Sequence, residues 1–230
     1  MKIISDIRIY KSNWENINGN SLPDGFADKS LNIMINRIVM KLREYKFSLG
    51  DFDHLYINFT TCIKENTVMP AKRSVDRYHP WYRYYDFGIG RGLFDEIDRS
   101  ANYDLLLGFI KTTLTTCFAH SENDREVIEK AFDEALSLGE DMLMVFKTKQ
   151  GAKYKAVIYL RYTDEGKYFP LLCVYDENGA EILRQDMPMS HDLFMLGEIQ
   201  LSSKKVTVKP RKNVFAQAQD LSPISFDLKK

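Results

Sequence analysis

The period of the hydrophobic pattern changes near residue 140, and this change constrains the fold more than any other feature of the sequence. Before it, apolar residues recur every three or four positions over roughly 28–47, 99–118 and 122–138, which predicts amphipathic helices. After it, short segments rich in β-branched and aromatic residues alternate with turn residues from 142 to 186, which predicts an antiparallel meander of four strands.

Strands are also predicted ahead of the helices. Residues 2–11, 54–63 and 81–89 are rich in β-branched and aromatic side chains, as strands are. Strands, then helices, then a run of strands is an α+β order rather than an alternation of strand and helix. We therefore predict an α+β fold with a mainly antiparallel sheet, three main helices and a C-terminal β-meander. Residues 139–141 are a candidate domain boundary, but no linker rich in Pro, Gly or Ser lies there, so one domain is predicted over 1–210, followed by a loosely ordered tail over 211–230.

Composition limits the class of the protein. Lys and Arg number 32 and Asp and Glu also number 32, and this zero net charge disfavours a globally basic nucleic-acid binder. Cys62, Cys117 and Cys173 lie far apart in apolar segments and match no metal-ligand spacing, so they are predicted to be buried, reduced thiols. Reduced thiols, a charge-interrupted N-terminus and the absence of an apolar stretch of about 20 residues predict a cytoplasmic protein that does not enter the membrane. We expect no metal and no cofactor.

No catalytic motif is present in the sequence. Residues 88–92 alternate glycine with other residues, but the spacing of a phosphate-binding loop is missing, so a turn in which glycine supplies an unusual φ is predicted instead. His79 has the chemistry of a general base, because imidazole titrates near neutrality, yet no Ser, Cys or Asp stands at a known spacing from it. The other histidines form no HxH or HExxH pattern. These observations favour a non-enzymatic protein.

The segment from Lys72 to Arg91 is the first candidate binding surface, because basic and aromatic residues interleave along it. Arg, Tyr and Trp dominate binding hot spots, since they combine a large contact area with a polar group. The same composition also fits two other interpretations. One is an ordinary sheet face whose arginines form salt bridges, and the other, less favoured, is a stacking surface for single-stranded nucleic acid. The candidate partner-binding residues are Arg73, Arg77, Tyr78, His79, Trp81, Tyr82, Arg83 and Tyr84.

The predicted helix after Ser121 is the second candidate surface. Ser121 and Asp124 have the spacing of a capping box, and eight acidic residues accompany only two basic ones from Glu122 to Asp141. Such a run is commonly a solvated face, but a one-sided acidic face also steers a basic partner by long-range attraction. The candidate residues are Glu122, Asp124, Glu126, Glu129 and Asp133.

An α+β chain of this size with residues 78–88, the acidic helix and no catalytic motif resembles the immunity proteins of bacterial polymorphic-toxin systems. The resemblance implies a non-enzymatic protein that neutralises a toxin by blocking the toxin's active site stoichiometrically. It also implies that the partner is another protein, a basic toxin domain.

Two alternatives remain open. The first is an enzyme acting on nucleic acid or phosphate esters, with His79 and nearby arginines in its site. The second is a domain that forms a homo-oligomer through an edge of its C-terminal sheet. An exposed aromatic or acidic patch favours the binding protein, whereas a pocket in which His79, a carboxylate and an arginine meet favours the enzyme.

Overall fold

A computed structural model of the chain describes residues 1–13, 26, 28–72 and 78–228. The chain forms two compact units, Met1–Gly139 and Glu140–Lys230. Helices and mostly antiparallel sheets make up the two units, so the predicted α+β class is confirmed. The single domain over 1–210 and the loosely ordered tail stay predictions. No helix in these described ranges is long and apolar enough to cross a membrane.

The first unit contains a four-stranded sheet in the order β2-β4-β6-β5, a separate pair β1-β3, and four helices among its described residues. Its elements are β1 Lys2–Ile3, β2 Asp6–Lys11, α1 Lys29–Glu44, β3 Ser48–Gly50, β4 His54–Thr60, β5 Val68–Pro70, β6 Tyr82–Gly88, α2 Arg91–Glu96, α3 Tyr103–Cys117 and α4 Glu122–Leu138.

Two of the main helices, α1 and α4, begin at side-chain caps, whereas α3 begins at Tyr103 without one, a few residues after the predicted start near 99. The side chain of Asp28 caps α1 by accepting a hydrogen bond from the Ser30 amide at 2.7 Å. The predicted capping box of α4 is present, because Ser121 accepts from the Asp124 amide while Asp124 accepts from the Ser121 amide. Three main helices, α1, α3 and α4, therefore match the periodic segments of the sequence.

Three strands of the first sheet run parallel, which the sequence did not predict. β2 pairs with β4 and β4 pairs with β6 in parallel, while only β5 joins antiparallel. The chain leaves β2 and returns to β4 through α1, which gives a strand–helix–strand crossover. Every residue of β4 after His54 is buried, as is typical of a parallel strand with neighbours on both sides.

Alternation along these strands divides their side chains between two faces. Ile7 and Ile9 share a face with Leu55 and Ile57, because the parallel register places Ile7 beside Leu55 and Ile9 beside Ile57. This face is covered by α1 and α3, since α1 contacts β2 and the ring of Phe109 in α3 packs on the rings of β4 and β6.

The helix α4 forms a further layer on the same side. It packs on α1 and α3, and none of its main contacts are with strands in the described part of the unit. Its buried stripe consists of Ile128, Ala131, Phe132 and Ala135. This arrangement places the remaining surface of α4 on the outside of the helical layer.

The second unit contains the predicted meander and a smaller sheet. The meander has the antiparallel order β10-β9-β8-β7, and the smaller sheet has the order β11-β12-β13. Within 211–228 lie a short helix and the last strand, which pairs with β12. The elements are β7 Met144–Gln150, β8 Lys155–Tyr162, β9 Tyr168–Tyr175, β10 Glu181–Asp186, β11 Ile199–Leu201, β12 Lys205–Val208, α5 Val214–Ala218 and β13 Ile224–Asp227.

The strands β9 and β10 form a hairpin through Asn178-Gly179, a residue pair that is typical of type I′ turns, but this turn is of a different type. Only Gly179 has a positive φ, at 82°, whereas type I′ requires it at both positions. The Asp176 side chain accepts hydrogen bonds from the amides of Asn178 and Ala180, each at 2.9 Å, and so holds the loop without Asn178 in a left-handed conformation.

The glycines of 88–92 serve a different purpose from the one predicted. None of them has a positive φ. A Cβ atom on Gly88 would instead lie 2.0 Å from the carbonyl oxygen of Lys64, because the two backbones approach closely there. The same construction on Gly92 meets nothing within 4 Å. Close approach, not unusual φ, therefore requires glycine at position 88.

The substitutions Gly88→Ala and Gly92→Ala should have opposite effects on the free energy of unfolding. The first forces backbone apart and should cost on the order of 2 kcal/mol or more. The second replaces an exposed helical glycine in α2 and should stabilise by about 0.5–1 kcal/mol. Urea denaturation of both variants checks this, and equal effects would contradict the close-approach explanation.

Candidate functional site

Strand alternation in β6 places the side chains of the predicted aromatic and basic segment on two opposite faces of the sheet. Arg73 and Arg77 lie outside the described residues. Tyr82 and Tyr84 point to the sheet face opposite the helices, because their register partners His54 and Tyr56 lie on that face. Arg83 points to the other face by strand alternation.

Arg83 is occupied by internal contacts. Its guanidinium approaches Asp51 at 3.2 Å and donates hydrogen bonds to the carbonyl oxygens of Pro80 and Tyr82 at 2.7 and 2.9 Å. It also lies 5.4 Å from the centre of the Phe52 ring. For this residue the contacts fit the interpretation of an arginine tied within the fold rather than that of a partner-binding arginine.

The rings of Tyr10, Tyr56, Tyr82 and Tyr84 form one cluster, which we call the tyrosine face. Tyr56 lies at its centre and is only 1% exposed. The centres of the Tyr82, Tyr84 and Tyr10 rings lie 4.7, 5.2 and 5.8 Å from that of Tyr56. Tyr82 and Tyr84 themselves are half-buried, so they form the outward layer over a buried ring.

The residues before β6 extend this cluster outward. The ring of His79 stacks on Tyr82 with ring centres 4.7 Å apart and planes 3° from parallel. The ring of Trp81 meets His79 edge-on, with ring centres 5.6 Å apart. Tyr78 is 79% exposed. His79, Trp81, Tyr82 and Tyr84 therefore lie together around the buried ring of Tyr56, and Tyr78, which precedes them, is more exposed than any of these residues.

Two polar pairs border the tyrosine face, and both involve residues that the sequence analysis did not select. Nδ1 of His54 lies 2.6 Å from an oxygen of Asp53. Arg8 forms an ion pair with Asp6 at 2.7 Å, and its guanidinium carbon lies 5.6 Å from the centre of the Tyr56 ring. The polar positions within the predicted strands 2–11 and 54–63 were the available signal, but only strand pairing brings them beside β6.

A polar network crosses the same face beyond Tyr56. The Ser12 hydroxyl donates to the Asn58 side-chain oxygen at 3.0 Å, and the Asn58 amide donates to Asp86 at 2.9 Å. Burial raises the pKa of Asp86 above its usual range, although the Asn58 hydrogen bond acts in the opposite direction. Burial also raises the pKa of Tyr56, and its neighbour Tyr82 adds to that effect.

The acidic candidates on α4 fall into two groups. Asp124 is used in the capping box, where its carboxylate accepts from the amides of His120 and Ser121 at 2.9 and 3.0 Å. The other four follow each other at steps of four, three and four residues, which places them on one side of the helix. We call this row the acidic stripe; its members are Glu122, Glu126, Glu129 and Asp133.

The acidic stripe is exposed and only partly neutralised. Glu129 pairs with Lys111 of α3, and Glu122 lies 4.0 Å from Arg125. Glu126 and Asp133 form no ion pair within the described ranges. The stripe lines a shallow groove of about 530 Å³ that also includes Thr115 of α3 and, from α4, Glu134 and two basic residues. The net charge of the residues that line this groove is negative.

The tyrosine face and the acidic stripe are two surfaces rather than one site. The tyrosines extend from the face of the sheet opposite α1 and α3, whereas α4 packs on the outside of those two helices. The described residues also contain no group of three His, Cys, Asp or Glu side chains able to hold a metal ion.

Asp124→Ala and Glu126→Ala should separate the capping role from the surface role. Loss of the cap should lower the free energy of unfolding by about 1 kcal/mol. Removal of Glu126 breaks no contact, so its effect should stay within about 0.5 kcal/mol. Denaturant titration of both variants measures this difference. A similar decrease in the free energy of unfolding for the two variants would show that the capping box does not stabilise the helix.

Asp86→Asn should stabilise the protein at neutral pH. A pKa raised in the folded state means that the favourable contribution of Asp86 is present at low pH and is lost as pH rises through that pKa. Asparagine removes the buried charge and keeps an oxygen for Asn58. The melting temperature should therefore rise at about pH 7 and hardly change at about pH 3. Asp133→Asn, at an exposed aspartate, is the control and should show no such pH dependence.

Comparisons with known proteins assign no family to this chain. No family model, no curated protein and no solved structure matches it. The interpretation of the tyrosine face and the acidic stripe therefore rests on their own geometry and charge.

Proposed function

We propose that the chain is a non-enzymatic binding protein of the immunity type, which neutralises a toxin by covering the toxin's active site. The observation that carries this proposal is the exposure of the aromatic residues before and within β6. Tyr78 is 79% exposed, Trp81 is half-buried, and Tyr82 and Tyr84 are half-buried on a sheet face that α1 and α3 do not cover. These rings do not fill the core.

The tyrosine face suits binding because it is supported from below. Tyr82 and Tyr84 pack against the buried ring of Tyr56, and His79 stacks on Tyr82. Rings held in this way lose little conformational entropy when a partner covers them, so more of the contact energy contributes to affinity. Tyrosine and tryptophan also keep a polar group for hydrogen bonds at the edge of the contact.

The acidic stripe supports a basic partner. Its groove contains five carboxylates and two cationic side chains, so the local potential is negative although the whole chain is neutral. A negative surface raises the association rate of a basic protein, and salt screens this effect over about 8 Å at physiological ionic strength. We assign the stripe to this attraction and the tyrosine face to the direct contact.

A second candidate function is an enzyme acting on nucleic acid or phosphate esters. The pair formed by His54 and Asp53 favours it, because a carboxylate on Nδ1 orients an imidazole and leaves Nε2 for proton transfer. In this alternative the general base is His54 rather than His79, the residue suggested by the sequence, because the ring of His79 is stacked on Tyr82.

The binding proposal is tested by capturing the partner from the source cell with the tagged full chain and weighing the complex by native mass spectrometry. The wild type should hold one toxin per chain and abolish that toxin's activity. Tyr78→Ala should weaken this complex roughly 30-fold, as expected for loss of a hot-spot residue worth about 2 kcal/mol. Phe215→Ala is the matched control, because Phe215 is also an exposed ring, at 69%, but lies in the second unit.

Equal weakening by both substitutions would show that exposed rings in general, not the aromatic residues before β6, hold the partner. Failure to recover a partner, together with hydrolysis of a phosphodiester by the wild type and its loss in His54→Ala, would replace the binding proposal with the enzymatic one.

A further inference from the structure

Charged side chains are unevenly distributed along the second unit. The ranges 142–163 and 199–219 contain ten basic residues and no acidic residue, whereas 164–198 contains eight acidic residues and two basic ones. The first range includes β7 and β8, and the second includes β11, β12 and α5. β7 contacts β11, and we call the line along which they meet the β7–β11 seam. The two ranges without carboxylates therefore come together at this seam and make the local potential positive.

Phe146 of β7 is placed beside two cationic side chains by a β-bulge. The register of β7 shifts between Val145 and Lys147, so Phe146 has no aligned partner in β8. A bulge at a sheet edge redirects the side chain of its extra residue. The ammonium group of Lys147 and the guanidinium carbon of Arg211 lie 5.8 and 5.9 Å from the centre of the Phe146 ring.

Neither of these two cations is neutralised by a carboxylate. The ammonium group of Lys147 donates to the carbonyl oxygen of Gly197, and within the described part of the chain neither Lys147 nor Arg211 forms an ion pair. Burial lowers the pKa of Lys147, and the positive charge of Arg211 acts in the same direction. Two like charges held close together repel each other, and a bound anion would relieve this repulsion.

Two stacked phenylalanine rings lie next to Arg211. The amide of Arg211 donates to the carbonyl oxygen of Phe194 at 2.7 Å. The rings of Phe194 and Phe215 have centres 5.9 Å apart and planes 7° from parallel. Phe215 is nevertheless 69% exposed, and the adjacent Val214 is 76% exposed. Phe194 therefore supports the Phe215 ring, most of which stays open to solvent.

We propose that this part of the second unit binds single-stranded nucleic acid. A base continues the stack formed by Phe194 and Phe215, while Arg211 and Lys147 neutralise the neighbouring phosphates. Stacking on an aromatic ring tolerates any base, so the site binds without strong sequence preference. We call it the stacking surface; its members are Phe146, Lys147, Phe194, Arg211 and Phe215.

A groove of about 180 Å³ lies farther along the β7–β11 seam. It is lined by residues 151–154, which follow β7, and by residues 201–203 at the end of β11. The serine hydroxyls and the exposed ammonium group of Lys153 in this lining are groups that commonly contact phosphate and sugar. Four residues of chain, about 13 Å, separate Lys147 from Gly151, so a short oligonucleotide spans the stacking surface and the groove.

Single-stranded nucleic acid fits the stacking surface better than other anionic partners do. The bases of a duplex are already stacked on each other, so Phe215 would find no free base there. An acidic amphipathic helix needs an apolar groove to dock in, and a membrane anchor needs a helix with an extended apolar face. The helix α5 has only five residues, and its exposed large apolar side chains are those of Val214 and Phe215.

This site goes beyond the proposed function and does not depend on it. The stacking surface belongs to the second unit, whereas the tyrosine face and the acidic stripe belong to the first. The test below uses the purified chain and an oligonucleotide without any toxin. Its failure therefore leaves the toxin-binding proposal standing, and failure of partner capture leaves the nucleic-acid site standing.

Substitutions at Phe215 test the stacking. The full chain, purified free of nucleic acid, is titrated against a fluorescent thymidine oligonucleotide of about ten nucleotides, and anisotropy gives the Kd. Phe215→Leu keeps an apolar side chain but removes the ring, so the Kd should rise at least about 5-fold. Phe215→Trp keeps a ring and should bind at least as tightly as the wild type. Met189→Ala removes another exposed apolar side chain of the second unit, at 42%, and should change the Kd less than about 2-fold.

Arg211→Ala tests the phosphate contact. Loss of one such contact should weaken binding and reduce the slope of log Kd against log salt concentration by about 0.7. Arg184→Ala is the matched control, because Arg184 lies in β10 and already pairs with Glu181 at 3.2 Å. Its salt slope should equal that of the wild type.

Three results would overturn the proposal. The first is a wild type that does not bind the oligonucleotide at roughly millimolar concentration. The second is an equal Kd for the wild type and Phe215→Leu, since the ring would then contribute nothing. The third is tighter binding to a duplex of the same length, to polyglutamate or to phosphatidylserine vesicles, which would assign the stacking surface to a different anionic partner.

Discussion

The parallel pairing of β2, β4 and β6 is the constraint on which the rest of the first unit depends. Its register aligns residues 6, 54 and 82 in one row and 8, 56 and 84 in the next, so side chains distant in sequence share a face. Of the intervening positions, those in β2 and β4 from Ile7 to Ile57 are apolar and lie under α1 and α3. One register thus creates both the core of the unit and the tyrosine face.

This division explains why the aromatic segment is only partly available for binding. A strand cannot direct consecutive side chains to the same face, so Tyr82 and Tyr84 share the tyrosine face while Arg83 contacts Phe52 and Asp51. Tyr78, His79 and Trp81 precede the strand and are not bound by its alternation. The surface therefore combines a supported layer in β6 with more exposed rings before it.

Features set by neighbouring residues could be predicted from the sequence. The capping box at Ser121 and the β-meander between 142 and 186 depend on contacts over a few residues, and both are present. Contributions from distant residues were missed. Arg8, His54 and Tyr56 looked like ordinary strand positions, and they join the candidate site only because β2 and β4 pair beside β6.

By itself the sequence determined where the three main helices and the longer strands lie, the capping box that begins α4, and that one side of α4 is acidic, because periodicity, capping and charge are local properties of the chain. Only the tertiary structure decided that β2, β4 and β6 run parallel, that Gly88 meets the backbone of Lys64, and that the tyrosine face and the acidic stripe are separate. Strand pairing joins residues dozens of positions apart. The order and direction of the strands depend on packing against α1 and α3, which cannot be predicted from a local sequence pattern.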